Sequence, residues 1–237
     1  MRIKDSLRIQ WLHEAPDILF FETEKDAATL HLDHFSYRTI AKPSEGQYKE
    51  KGSRFLGFAY PVTSETNIKE HVSFLQKKYF DARHHCFAWT LGVDRKSFRA
   101  VDDGEPNHSA GDPILGQIRS KGLANVLVVV VRYFGGVKLG VGGLITAYKT
   151  AAGEALNNAD IIEREIMESV RLVYEYGATP DVMRLVKEFD LEVQSQKFEA
   201  ACELIAHYKL RDKEKFVARL KLISAMQVKV NYTFESL

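Results

Sequence analysis

The spacing of apolar positions divides the chain into strand and helix segments. Arg54-Phe-Leu-Gly-Phe-Ala-Tyr-Pro-Val62 reads as a strand, and Ile68, Val72, Leu75 and Tyr79 then recur at helical intervals on one face. His84 to Leu91, a Gly92-Val93-Asp94 turn and Ser97 to Val101 predict a β-hairpin. The polar stretch Asp102-Asp-Gly-Glu-Pro-Asn-His-Ser109 reads as a loop. Asp112-Pro113 then supplies an N-cap and first position for a short helix bearing Ile114, Leu115 and Ile118. Leu123 to Val131 is an apolar, valine-rich run, the pattern of a strand buried on both faces. A helix is expected from about Gly143 through Leu156, with Ala147, Ala151, Ala152 and Ala155 allowing close approach to a sheet.

The last third has its own pattern. Ser169 to Tyr176 reads as a strand, and Thr179-Pro180 opens a helix with Val182, Leu185, Val186 and Phe189 on one face. Two strands fall within Leu191 to Leu210, a helix with Phe216, Leu220 and Ile223 starts near Asp212, and Gln227 to Phe234 closes as a strand. The order β-α-β-β-α-β is that of a ferredoxin-like unit. The fold class expected is therefore α+β in two domains, an N-terminal one over 36–163 and a C-terminal one over 164–237, after an extension over 1–35.

Charge changes this picture only when it is divided. The whole chain has 33 Lys+Arg against 32 Asp+Glu, a net charge of +1, which gives no general reason to expect nucleic-acid or membrane binding. Residues 1–35 carry four basic and seven acidic side chains, residues 36–163 carry 17 and 13, and residues 164–237 carry 12 and 12. Any basic site belongs to the middle segment. Two cysteines, Cys86 and Cys202, are too few for a disulfide framework and lack Cys-x-x-Cys spacing, so a cytoplasmic protein is expected. Cys202 alternates in phase with Phe198 and Ala200 as a core residue does. No apolar run approaches the roughly 20 residues of a membrane span, and no membrane partner is expected.

Two groups of residues could carry chemistry. Arg132-Tyr133-Phe134-Gly135-Gly136-Val137-Lys138-Leu139-Gly140-Val141-Gly142-Gly143 joins a buried strand to a helix. Its glycines can bring backbone N–H groups to an anion at a helix N-terminus, with Arg132 and Lys138 supplying charge at the rim. The same glycines also suit a tight turn and close packing. Of the adjacent Tyr133 and Phe134, one should pack inside and one remain available to stack on a base.

The second group is His84, His85 and Cys86 with Asp102, Asp103, Glu105 and His108. It could supply ligands for hydrolytic zinc or a Cys86 nucleophile beside His84. Adjacent strand residues face opposite ways, however, so only His84 and Cys86 share a side, and structural histidines, a buried thiol and solvated turn acids are the default reading. The expectation is no catalytic residue, no metal and no cofactor. A hydrolase using His84, Cys86, Asp102, Glu105 and His108 is the alternative.

Four ordered segments resemble the YigZ/IMPACT family: Asp81-Ala-Arg-His-His-Cys-Phe-Ala88, Asp102-Asp-Gly-Glu-Pro106, Ala110-Gly-Asp-Pro-Ile-Leu115, and Val131-Arg-Tyr-Phe-Gly-Gly136 with Leu139-Gly140 and Gly142-Gly143-Leu144. Many relatives have Gly-Thr where this chain has Asn107-His108-Ser109. The resemblance implies a first domain like the second domain of ribosomal protein S5 and a second like the last domain of elongation factor G. Both relatives act on RNA in the ribosome, so it implies RNA or a ribosome-associated factor as partner and a link to translation regulation. Eukaryotic members regulate translation through a kinase activator, which they reach by a different N-terminal domain. A protein-interaction module is a third alternative. Tyr37-Arg-Thr-Ile40 resembles where relatives begin, so residues 1–35 are expected to reflect an upstream start codon.

Overall fold

Alternation along the valine run organises the first sheet. The computed structural model describes residues 35–199 and 201–235. In chain order its first elements are β1 (Ser36–Ile40), β2 (Ser44–Glu50), β3 (Ser53–Pro61), α1 (Glu65–Lys78), β4 (His84–Leu91), β5 (Ser97–Val101), α2 (Gly111–Ser120), β6 (Val126–Tyr133) and α3 (Gly140–Asn157). Strands pair antiparallel in the order β2-β3-β6-β4-β5. β6 is central. Its Val126, Val128 and Val130 pack with Phe55, Cys86 and Ala88 under α2 and α3, while Leu127, Val129 and Val131 pack with Phe58, Trp89 and Leu75 under α1. Helices cover both faces, so the apolar run from Val126 to Val131 serves an antiparallel sheet here. Each such side chain, once buried, stabilises by about 1.5–3 kcal/mol.

The small residues of α3 do what their size permits. A Cβ added to Gly57 would lie 2.4 Å from the Ala151 carbonyl oxygen, and one on Gly46 2.3 Å from the Ala155 nitrogen, so helix and sheet backbones nearly touch. Lys51 and Gly52, both at positive φ, form the two-residue turn between β2 and β3.

The remaining elements are β7 (Ile161–Glu165), β8 (Met167–Tyr174), α4 (Thr179–Glu188), β9 (Glu192–Phe198), β10 (Cys202–Lys209), α5 (Lys213–Ala225) and β11 (Val230–Glu235). The second sheet runs β11-β8-β10-β9, all antiparallel. Val170, Leu172, Leu204, Ala206 and Tyr208 pack against Val182 and Leu185 of α4 and Phe216 and Leu220 of α5 in a separate core. Cys202 is buried there; Phe198 is exposed at the strand end, and Ala200 lies outside the described residues. β1 and β7 form a ribbon of their own. The Ile166 amide after β7 donates to the Phe35 carbonyl, and the Leu210 amide donates to that of Ile166.

Several expectations change in detail. The segment expected to be a domain boundary contains β7, because its backbone groups find a partner strand 120 residues and more away in sequence. β2, Ser-Glu-Gly-Gln-Tyr-Lys-Glu, is too polar to stand out and is held by pairing with β3. Thr179 sits inside α4, its hydroxyl donating to the Tyr176 carbonyl at 2.7 Å rather than capping the helix. The expected extension over 1–35 lies, but for Phe35, outside the described residues. Among the described residues no helix is long and apolar enough to cross a membrane.

Candidate functional site: a basic cleft at the glycine loop

The pairing of β4 with β6 sets His84 directly opposite Arg132 and Cys86 opposite Val130. The loop after β5 then folds over this corner. Asp103, Gly104 and His108 in it all have positive φ, a conformation sustained by a dense set of backbone bonds. Asp102 Oδ1 accepts from the amides of Ala110 at 2.9 Å and Gly111 at 2.8 Å, and its Oδ2 accepts from the His108 amide at 2.9 Å. Asp103 Oδ2 accepts from the His85 amide at 2.7 Å, and its carbonyl lies 2.9 Å from His84 Nδ1, the ring nitrogen that must carry the hydrogen.

That loop carries Glu105 inward. Its Oε1 accepts from Arg132 Nη1 at 2.6 Å and from the Tyr148 hydroxyl of α3 at 2.8 Å, with side chains only 4% and 7% exposed for Glu105 and Arg132. His84 Nε2 stands 4.0 Å from the same oxygen. The Arg132 guanidinium lies between the Phe55 and Phe134 rings, at 5.4 and 5.6 Å from their centres. Cys86 Sγ lies 2.9 Å from the Asp102 carbonyl and 3.3 Å from the Tyr148 hydroxyl. Burial pushes both the Cys86 thiol and the Tyr148 phenol far above their ordinary ranges.

A cavity of about 490 Å³ opens between this corner and the start of α3. Arg83, His84, Glu105, Arg132, Phe134 and Lys138 line it, together with Gly140 and Val141 of the first helical turn. The two residue groups separated in sequence thus meet in one cleft. A larger cavity of about 690 Å³ near α4 and α5 is lined by ion pairs such as Arg219–Glu188 and Lys209–Asp190 and holds none of the candidate residues.

Residues 51–156 match the Impact N-terminal domain. The chain is 36% identical over 141 residues to IMPACT family member YvyE of Bacillus subtilis strain 168, covering 60% of this chain and 65% of that one. It is 32% identical over 152 residues to IMPACT family member YigZ of Escherichia coli K12, covering 63% and 74%. The crystal structure of a hypothetical protein superposes with a TM-score of 0.69 at 28% identity, covering 84% of this chain and 96% of that one. The chain belongs to the IMPACT family.

The cleft lies wholly inside the Impact N-terminal domain, and the positions expected to carry its chemistry divide into three groups. Phe134, 52% exposed, and Lys138 stand at the mouth, beside Arg83, which was not among the expected positions. Arg132 corrects the expectation of a rim charge: its place on central β6 buries it, and Glu105 neutralises it. Tyr133 faces the other side of the sheet, where its hydroxyl donates to Asp81 Oδ1 at 2.7 Å. The glycines also differ. Gly136 and Gly140 have positive φ, whereas Gly135 is a packing glycine, since its Cβ would fall 1.9 Å from the Gly52 carbonyl carbon. α3 begins at Gly140, three residues before the expected start, so Gly142 and Gly143 sit in its first turn.

The residues of the hydrolase alternative divide: His84 and Glu105 line the cleft, and the others are engaged beside it. His108 Nδ1 is 2.6 Å from Asp112 Oδ2 on the surface, Asp102 is occupied by three amides, and Cys86 is inaccessible. Among the described residues no three His, Cys, Asp or Glu side chains come together as metal ligands. Asp102, rather than Asp112, satisfies the α2 N-terminus, because Asp112 lies inside the first turn and Ala110 occupies the cap. Arg83 and Tyr148 went unrecognised as site residues in this IMPACT-family sequence. Tyr148 had one signal: a phenol on a helix face of alanines needs a buried hydrogen-bond partner.

Asp102 supports a prediction. Burial raises its pKa, but bonds from Gly111, His108 and Ala110 outweigh this and hold the carboxyl below its usual range. The stability it contributes is therefore present above pH ~4 and is lost as pH falls through the depressed native value. Asp102→Ala is expected to cost about 0.5–2 kcal/mol at pH 7, as for a lost helix cap. Urea unfolding at pH 7 and near pH 3 should show the variant-to-wild-type gap narrowing in acid; a constant gap would remove the carboxylate from the account.

Proposed function

We propose that this IMPACT-family protein is a non-catalytic cytoplasmic factor that binds RNA or a ribosome-associated partner through the cleft, in a role linked to translation. The observation that carries this is the meeting of exposed Arg83, Lys138 and Phe134 at the glycine-rich start of α3. Cations for phosphates beside an aromatic face for a base are the components of single-strand recognition. In the same reading, 36–163 is a domain like the second domain of ribosomal protein S5, and 164–237 is a ferredoxin-like domain similar to the last domain of elongation factor G. The β8-α4-β9-β10-α5-β11 order and the β11-β8-β10-β9 sheet support the second assignment.

The test is binding of single-stranded RNA across a salt series. Affinity should fall steeply with salt through counterion release, and Lys138→Ala should reduce the log–log slope by about 0.7 for one lost phosphate contact. Phe134→Ala should weaken binding by about 1–3 kcal/mol with little change of slope. No binding at low salt, or wild-type behaviour of both variants, would count against the cleft.

A further inference from the structure

The cleft is closed at its inner end by a buried charged pair, which an open track for a continuous nucleic-acid backbone would not need. Arg132 lines that floor and is 6% exposed. One of its nitrogens serves Glu105, but Nε is buried and has no hydrogen-bond partner among the described residues. The 18-residue helix α3 opens on the same cleft through Gly140 and Val141, and among the described residues no side chain caps it. Its first-turn amides lack intrahelical acceptors and favour negative charge. Arg83 and Lys138 complete the lining, and among the described residues neither is in an ion pair.

Charge then selects the ligand. Arg83, Arg132 and Lys138 against the single carboxylate of Glu105 leave two positive charges uncompensated. A phosphodiester carries one negative charge, whereas a phosphomonoester carries about −1.5 to −2 at neutral pH. The volume of about 490 Å³ lies within the range of small-ligand sites. Phe134, exposed at the mouth, is placed to stack on the attached base.

We infer that the cleft binds a terminal nucleotide phosphomonoester, its phosphate directed to Arg132 and the α3 N-terminus and its base toward Phe134. This rests on the nucleic-acid reading above and names the group recognised. The sources of that group are the phosphorylated end of an RNA or a free mononucleotide.

The experiment measures anisotropy of one labelled RNA oligomer in three forms, 5′-phosphorylated, 3′-phosphorylated and unphosphorylated, with nucleoside monophosphate as competitor. One phosphorylated form should bind about tenfold tighter than the unphosphorylated one, the effect of about 1.4 kcal/mol from an added charge-assisted contact. Lys138→Ala, an exposed change that leaves the core intact, should remove that preference. Competition by the mononucleotide with no oligomer binding would keep the site but overturn the RNA reading. Equal binding of all three oligomers without such competition would overturn the inference and leave the RNA reading standing. Failure of every probe would overturn both.

Discussion

Glu105→Ala is expected to lower unfolding free energy by about 3–5 kcal/mol, the usual consequence of removing one partner from a buried ion pair. The loss is large because of what remains. Arg132 stays on the central strand, held between Phe55 and Phe134 and only 6% exposed, and the Tyr148 hydroxyl loses its acceptor. Each remaining group retains a desolvation cost without its compensating bond. Replacing both members, as in Glu105→Leu with Arg132→Met, should restore most of the stability, since well-packed apolar pairs often match buried ionic ones. Urea denaturation of the wild type, the two single variants and the double variant forms the cycle. Single-variant costs below about 1 kcal/mol, the level of surface pairs, would show that the charges are not desolvated as described.

Gly135→Ala should destabilise by about 1–3 kcal/mol or more, whereas Gly142→Ala, seven residues on, should stabilise by up to about 1 kcal/mol. A methyl on Gly135 would meet the Gly52 carbonyl carbon at 1.9 Å and the Ser53 nitrogen at 2.1 Å. Both are backbone atoms of the β2–β3 turn and cannot rotate away, and the Gly135 amide also donates to the Ser53 hydroxyl at 3.1 Å. Gly142 has open space around its Cβ position and lies within α3, where alanine costs less backbone entropy. Thermal unfolding of the two variants should move in opposite directions. A common shift would mean that the glycines act as a single flexible loop instead of two different devices.

The assignment of function within the glycine loop changes accordingly. In sequence its glycines read together and Arg132 reads as a rim charge, yet Gly135 packs, Gly136 and Gly140 turn the chain, and Arg132 belongs to the core. Lys138 and Phe134 remain exposed at the mouth of the cleft, beside Arg83. The loop after β5 shows the opposite case. Its acids looked like solvated turn residues, but Asp102 and Asp103 hold backbone amides and Glu105 enters the core.

Local periodicity was enough to place β4 and β5 at their observed bounds and to identify β6 as buried on both faces, because a residue's side of a strand or helix depends only on its near neighbours. The alanine face of α3 and the β-α-β-β-α-β order of the last third were legible for the same reason. The ordered motifs carried family membership as well. What the sequence could not determine was which side chains meet. Boundary strand β7 exists only through a partner distant in the chain, and polar β2 is held by its hairpin with β3. Glu105 pairs with an arginine 27 positions away and a tyrosine 43 positions away, so its burial and the neutralisation of Arg132 follow from strand register and loop closure. Tertiary structure decided the site because desolvation and pairing depend on three-dimensional neighbours, whereas periodicity records only the side on which a residue lies.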